Sequence, residues 1–151
     1  MDRYFAAGTI AAVTATPGDT ALAVIASTLT RGRIFYYAIS TPTGTPVADN
    51  VIDWLVRRFS ADGTGTAVTP GLEDAGAPVA QLTSKQGYTA EPTFATVPIH
   101  EVGVHQRSVF QWNAAPRGEL VIPATAGAGI GFTPIHASYV SSALAVAHWE
   151  E

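Results

Sequence analysis

The chain has 151 residues, 47% of them hydrophobic and 13% charged, with a formal net charge of −4. That length suits one domain with a sizeable core, and the charged share falls well below the usual level of about a quarter. Seven Arg and the single Lys85, never more than two adjacent (Arg57–Arg58), argue against a phosphate-gripping surface, and the absence of Cys excludes disulfides, thiolate zinc sites and cysteine nucleophiles.

Ten Pro and fourteen Gly punctuate most of the chain and leave little room for long helices. In chain order, runs rich in Val, Ile, Thr and aromatics predict strands over Tyr4–Thr14, Ala21–Ser27 and Arg33–Ser40. Between them, T-P-G-D at Thr16–Asp19 and P-T-G-T-P at Pro42–Pro46 read as turns. The next run, V-I-D-W-L-V-R-R-F-S, alternates. Ile52, Trp54, Val56 and Arg58 share one face, and Asp53, Leu55 and Arg57 the other. Residues Ser60–Gly87, rich in Gly, Ala, Thr and Pro, read as a long loop with Val79–Thr83 as a weak strand. Further strands are expected over Thr93–Pro98, His100–Trp112, Glu119–Ile122, Gly129–Ser138 and Ser142–Trp149. Eight to ten short strands with turn signals between them predict an all-β fold, an antiparallel sandwich or barrel in one domain, 1–151. No signal peptide or transmembrane span is read at the N-terminus, which carries Arg3 beside Asp2 and an apolar run broken by Thr9, Thr14 and Thr16.

The segment H-E-V-G-V-H (His100–His105) imitates the zinc-protease motif H-E-x-x-H with one residue too many. On a strand, His100, Val102 and Val104 face one way and Glu101, Gly103 and His105 the other, so the two histidines diverge and no metal site is expected. His148 shares a strand face with Leu144 and Val146 and reads as a half-buried sheet histidine. G-A-G-I-G at Gly127–Gly131 departs from the dinucleotide pattern and reads as a flexible turn between strands. Ser138 and His136 share a strand face, but no acid or oxyanion hole accompanies them, so a hydrolase is the third-ranked reading. No enzyme and no cofactor are expected. Trp54, Trp112 and Trp149 lie in strands and suit core packing, while the rival use is a stacking platform in a carbohydrate-binding sandwich. Arg57, Arg58, Arg107 and Trp112 are the candidate partner contacts, because Arg and aromatics anchor protein interfaces.

Three segments carry a resemblance: A-D-N-V-I-D-W-L-V-R-R-F-S-A-D-G-T-G-T-A-V-T-P, E-L-V-I-P-A-T-A-G-A-G-I-G-F and the ending A-V-A-H-W-E-E. Together they resemble small proteins that accompany capsid genes in tailed bacteriophages, similar in style to capsid decoration (cement) proteins. The resemblance implies a jelly-roll-like β-sandwich, a homotrimer, the major capsid protein as partner and a place on the virion exterior. It transfers no functional residue; that no nucleic acid and no membrane are contacted is expected instead from the scattered Arg and from the lack of an apolar span. Self-association is also expected from the sheet itself, since Lys85 is the one lysine able to guard an edge.

Overall fold

The computed structural model describes residues 1–14, 19–41, 49–137 and 141–151. The turns expected at Thr16–Asp19 and Pro42–Pro46, and Ser138, lie wholly or largely outside those residues. The chain is all-β. Its described residues form thirteen strands and no helix: β1 (Arg3–Ile10), β2 (Leu22–Ile25), β3 (Gly32–Ser40), β4 (Val51–Ala61), β5 (Thr64–Val68), β6 (Gly71–Leu72), β7 (Thr83–Ala90), β8 (Thr93–Phe94), β9 (His100–His105), β10 (Val109–Asn113), β11 (Leu120–Ile122), β12 (Gly129–Ile135) and β13 (Ala143–Glu150). The count exceeds the expected eight to ten for two reasons. The expected long loop holds β5, β6 and the start of β7, and the single strand expected over His100–Trp112 is two.

Two antiparallel sheets stack as a sandwich. The first runs β10-β3-β13-β1-β6, with β11 also on β3; the second runs β5-β7-β2-β12-β4-β8, with β9 also on β4. The first and last strands pair over eight residues, from Arg3↔Glu150 to Ile10↔Ala143. Reciprocal bonds between Asp2 and Glu151 at 3.1 Å extend that ladder. Strand β1 shows strict alternation, with Tyr4, Ala6, Gly8 and Ile10 buried and the residues between them exposed. One layer of Trp54, Trp149, Tyr4, Tyr37, Phe132, Leu22, Ile34, Ile39, Ile52, Leu82, Ile122 and Ile130 fills the space between the sheets.

The alternation in β4 also holds as expected for Ile52, Trp54 and Val56. Arg58 has the same parity, opposite Ile130. It is nonetheless exposed at the rim of the sandwich, and its Nη1 donates to the Val121 carbonyl at 2.5 Å. Lys85, expected in the irregular region, sits in β7 opposite Ala23 and pairs with Asp62 at 2.5 Å.

Candidate interaction surfaces

The residues proposed as partner contacts are dispersed. Arg57 lies half-buried on the outer face of the second sheet, its guanidinium 4.1 Å over the Phe94 ring. Burial disfavours its charged form, and the neighbouring Glu91 partly restores it. Arg107 is exposed in the turn after β9, with Nη2 3.4 Å from Asp49. Trp112 points into the sandwich from β10, 5.2 Å from Tyr37 and 5.2 Å from His100. Arg58 is at the rim. No common surface gathers these four.

The two histidines of H-E-V-G-V-H diverge, as expected for a strand. His100 faces inward opposite Val56, where its Nδ1 and the Tyr37 hydroxyl share a hydrogen bond of 2.8 Å. His105 faces outward, 3.7 Å from Asp49. Burial lowers the His100 pKa and raises that of Tyr37. No group of three or more His, Asp or Glu suited to a metal is formed among the described residues. Trp54 and Trp149 are fully buried and present no ring to a ligand. The Ser138–His136 pair has no described geometry, because Ser138 lies outside the described residues.

The two outer faces of the sandwich differ in chemistry. On the second sheet, Gly127 supplies the left-handed turn residue (φ 76°) before β12, but Gly129 and Gly131 lie inside that strand. A side chain at Gly129 would collide with the Phe59 ring, and one at Gly131 with the Phe94 ring. Gly129 and Gly131 are therefore a flat floor for two aromatic rings, and only Gly127 serves a turn. Phe59 and Phe94 meet edge to face at 5.8 Å, and Ala23, Ile25 and Tyr88 complete a second apolar cluster. Glu91 closes its margin. It accepts from the Thr20 backbone N–H at 3.0 Å and from the Thr20 hydroxyl, which in turn contacts the Thr133 hydroxyl at 3.1 Å. Burial raises the Glu91 pKa, the two Thr20 bonds oppose that, and Asp19 adds to it. Beside the cluster, Tyr88 donates to Asp62 at 3.0 Å, and Lys85 holds the other carboxylate oxygen.

Among the described residues no such roof lies on the first sheet's outer face, and they form two sheets and no third layer. Register places its side chains in four rows. Arg3, Glu150 and Arg33 form the first; Phe5, His148, Tyr36 and Asn113 the second; Ala7, Val146, Ala38 and Gln111 the third; Thr9, Leu144, Ser40 and Val109 the last. His148 holds Glu73 at 2.5 Å, stacks on Phe5 at 5.7 Å and meets the edge of Tyr36 at 5.1 Å. Arg3 lies 5.0 Å over Phe35. Beyond that polar end, the third and fourth rows carry no charge. Phe5 keeps 38% of its surface exposed and Val109 60%. Sequence reasoning selected Arg and Trp for this role. The usable signal was β13 itself, A-L-A-V-A, apolar at both parities from Ala143 to Ala147, as in a strand covered on both sides.

Family models, curated proteins and solved structures were all compared with the chain, and none matches. No helix among the described residues is long and apolar enough to cross a membrane, which says nothing of a β-barrel.

Proposed function

We propose that the chain is a virion structural protein, a capsid decoration protein on the exterior of a tailed-bacteriophage shell, assembled as a homotrimer on the major capsid protein. The observation that carries this reading is the uncovered, largely uncharged face of the first sheet, Phe5, Ala7, Ala38, Leu144, Val146 and Val109. A protein that keeps such a face in water is set up for contact, because contiguous apolar patches of more than a few hundred Å² mark interaction sites. The phrase-level resemblance to decoration proteins names the lattice, and the acidic balance suits the shell exterior better than packaged DNA. The sugar-binding alternative needs exposed rings, but Trp54 and Trp149 are fully buried and Trp112 is half-buried against Tyr37 and His100.

Two measurements test the proposal. Size exclusion with light scattering is expected to give about three times the 15.7 kDa chain mass. Shells assembled from the major capsid protein of the phage or prophage that carries this gene are expected to retain the purified protein on co-sedimentation. Failure to bind those shells, together with specific retention on a glycan array, would put the carbohydrate-binding module first.

A further inference from the structure

We infer that Lys85 and Asp62 react with each other to form an intramolecular amide, which joins the turn between β4 and β5 covalently to β7. The inference does not depend on the assembly proposed above.

The geometry of the pair carries it. Lys85 Nζ lies 2.5 Å from Asp62 Oδ2, and the carboxyl carbon is one bond beyond that oxygen. Nζ also donates to the Gly63 carbonyl at 3.3 Å, which holds the amine on that side of the carboxyl group. The opposite oxygen, Oδ1, accepts from the Gly63 N–H at 2.8 Å and from the Tyr88 hydroxyl at 3.0 Å. Burial keeps the Tyr88 phenol protonated, and the charges of Asp62 and Glu91 reinforce that. One carboxylate oxygen therefore faces two donors, and the other faces an amine. Acyl transfer needs that arrangement: donors where negative charge develops and a nucleophile beside the carbonyl carbon. The side chains of Lys85 and Asp62 keep only 29% and 18% of their surface, which limits the water that can compete with the amine or hydrolyse the product.

Two features of the chain set this pair apart from an ordinary ion pair. The first is residue choice. Lys85 is the only lysine, beside seven Arg. Arg suits a carboxylate better as an ion-pair partner, through two parallel N–H bonds, but only a primary amine can form the amide. The second is the backbone. Residues three apart on a regular strand point to opposite faces. Gly87, with φ 53°, lies between Lys85 and Tyr88 where the β5–β7 register shifts. A Cβ there would meet nothing within 4 Å, so this glycine answers the backbone conformation and not a shortage of space. The irregularity leaves Lys85, opposite Ala23, and Tyr88, clustered with Ala23, on one face and both within reach of Asp62.

The reaction balances within the site. The Lys85 ammonium passes one proton to Oδ2. The freed lone pair on Nζ attacks the carboxyl carbon and forms the C–N bond. The C=O electron pair moves onto Oδ1, where the Gly63 N–H and the Tyr88 hydroxyl hold it. A second proton passes from Nζ to Oδ2, the bond from carbon to Oδ2 breaks, and water leaves as the carbonyl re-forms. Nζ keeps its third hydrogen as the amide N–H. The fold supplies the drive by holding the two groups together, since effective molarities of well-oriented pairs reach roughly 10⁵–10⁸ M. The product closes a ring over a sequence separation of 23 and fastens the region of β5, the end strand of the second sheet.

Mass spectrometry of the intact, denatured chain reads the bond directly. The wild type is expected to be one water lighter than its sequence. Lys85→Arg, which keeps the positive charge, is expected at its full sequence mass. Digestion of the wild type with trypsin should give no cleavage after Lys85 and a branched peptide that joins Lys85 to Asp62. Asp62 precedes Gly63, and a succinimide at that junction also loses one water. The succinimide needs no lysine and is cleaved by hydroxylamine. A water lost equally from the wild type and Lys85→Arg, or lost without the branched peptide, therefore overturns the inference. Tyr88→Phe keeps both reacting groups and removes one donor to Oδ1, so a smaller fraction of freshly synthesised protein should be crosslinked. An unchanged fraction overturns the role given to Tyr88. A wild type at its full sequence mass, both fresh and after prolonged incubation at neutral pH, shows an ion pair only and overturns the inference.

Discussion

The two sheets bury their inner faces in one core but treat their outer faces in opposite ways. The second sheet roofs its own. Tyr88 of β7 and Phe94 of β8 lie with Phe59, Ala23 and Ile25, while Glu91 between those strands ties down Thr20. The first sheet leaves Ala7, Ala38 and Val146 in water with an aromatic and charged fringe at one end only. The hydrophobic effect acts alike on both faces, at about 25 cal/mol per Å² of apolar area removed from water. One face collects that term during folding of a single chain. The other can collect it only on association, which makes it the surface whose disruption changes assembly rather than folding.

Matched aromatic truncations should expose that contrast most strongly. Phe59 is 3% exposed in the roofed cluster and Phe5 is 38% exposed on the open face. Phe59→Ala is expected to cost about 3–5 kcal/mol of unfolding free energy, since a cavity opens over Gly129. Phe5→Ala should cost about 1 kcal/mol or less when measured at a protein concentration low enough that association does not add to stability. Urea denaturation of both variants at that concentration reads the difference. Equal costs would mean that the open face is as much a folding surface as the roofed one.

A smaller effect is expected at the polar margin of the roof. Glu91→Ala removes the acceptor for the Thr20 N–H and hydroxyl, and leaves Arg57 without its neighbouring negative charge. Buried donors left unpaired cost about 1–3 kcal/mol. Amide hydrogen exchange should localise the loss to Thr20–Ala23 and the Arg57–Phe59 part of β4, and should leave β1 and β13 protected. Uniform loss across both sheets would show that the roof is not a separate cooperative unit.

Most of the sandwich was legible because its central strands obey period two. V-I-D-W-L-V and R-Y-F-A-A-G-T-I each send alternate residues into one core, so their faces follow from order alone. The failures have local causes. T-G-T-A-V in β5 and T-S-K-Q-G-Y-T-A in β7 lack apolar alternation. β5 is a sheet edge, and the positive-φ Gly87 interrupts β7 within a shifted register. Their pairing is secured by contacts distant in sequence, among them Lys85 with Asp62. His100–Trp112 reads as one strand because the alternation runs on through Q-R-S without Gly or Pro, yet a tight turn forms there as Ser108 N–H donates to the His105 carbonyl at 2.8 Å. The candidate surface was missed for a different reason. Arg57, Arg58, Arg107 and Trp112 were chosen by residue type, whereas the open face consists of Ala, Val and Leu, whose outward direction is fixed only once β1, β13, β3 and β10 are in register.

The two regions also respond to acid with opposite signs. His100, at the open β9–β10 side, has its pKa lowered by burial. The unfolded chain therefore binds a proton at His100 more readily than the folded one, and the associated stability is present above the unfolded value near 6.5 and is lost as pH falls through the folded value. Glu91, at the roof margin, has its pKa raised mainly by burial. The folded chain takes up that proton more readily, so Glu91 contributes stability at pH below its unfolded value near 4.5 and loses it as pH rises through the folded one. Urea midpoints between pH 8 and pH 5 should therefore fall for the wild type through His100, with the slope reduced in His100→Phe. As pH falls from the folded value of Glu91 towards 4.5, the Glu91 contribution opposes that loss, so Glu91→Gln should fall more steeply than the wild type over that interval and in parallel with it at lower pH. The protonated His100 ring also loses the ability of Nδ1 to accept from the Tyr37 hydroxyl, so the loss should be accompanied by exchange of the Tyr37 environment, visible in near-ultraviolet circular dichroism. A wild-type midpoint that is flat from pH 8 to pH 5, or a His100→Phe variant with the wild-type slope, would show that His100 stays hydrated at the sandwich edge and is no part of the packed seam.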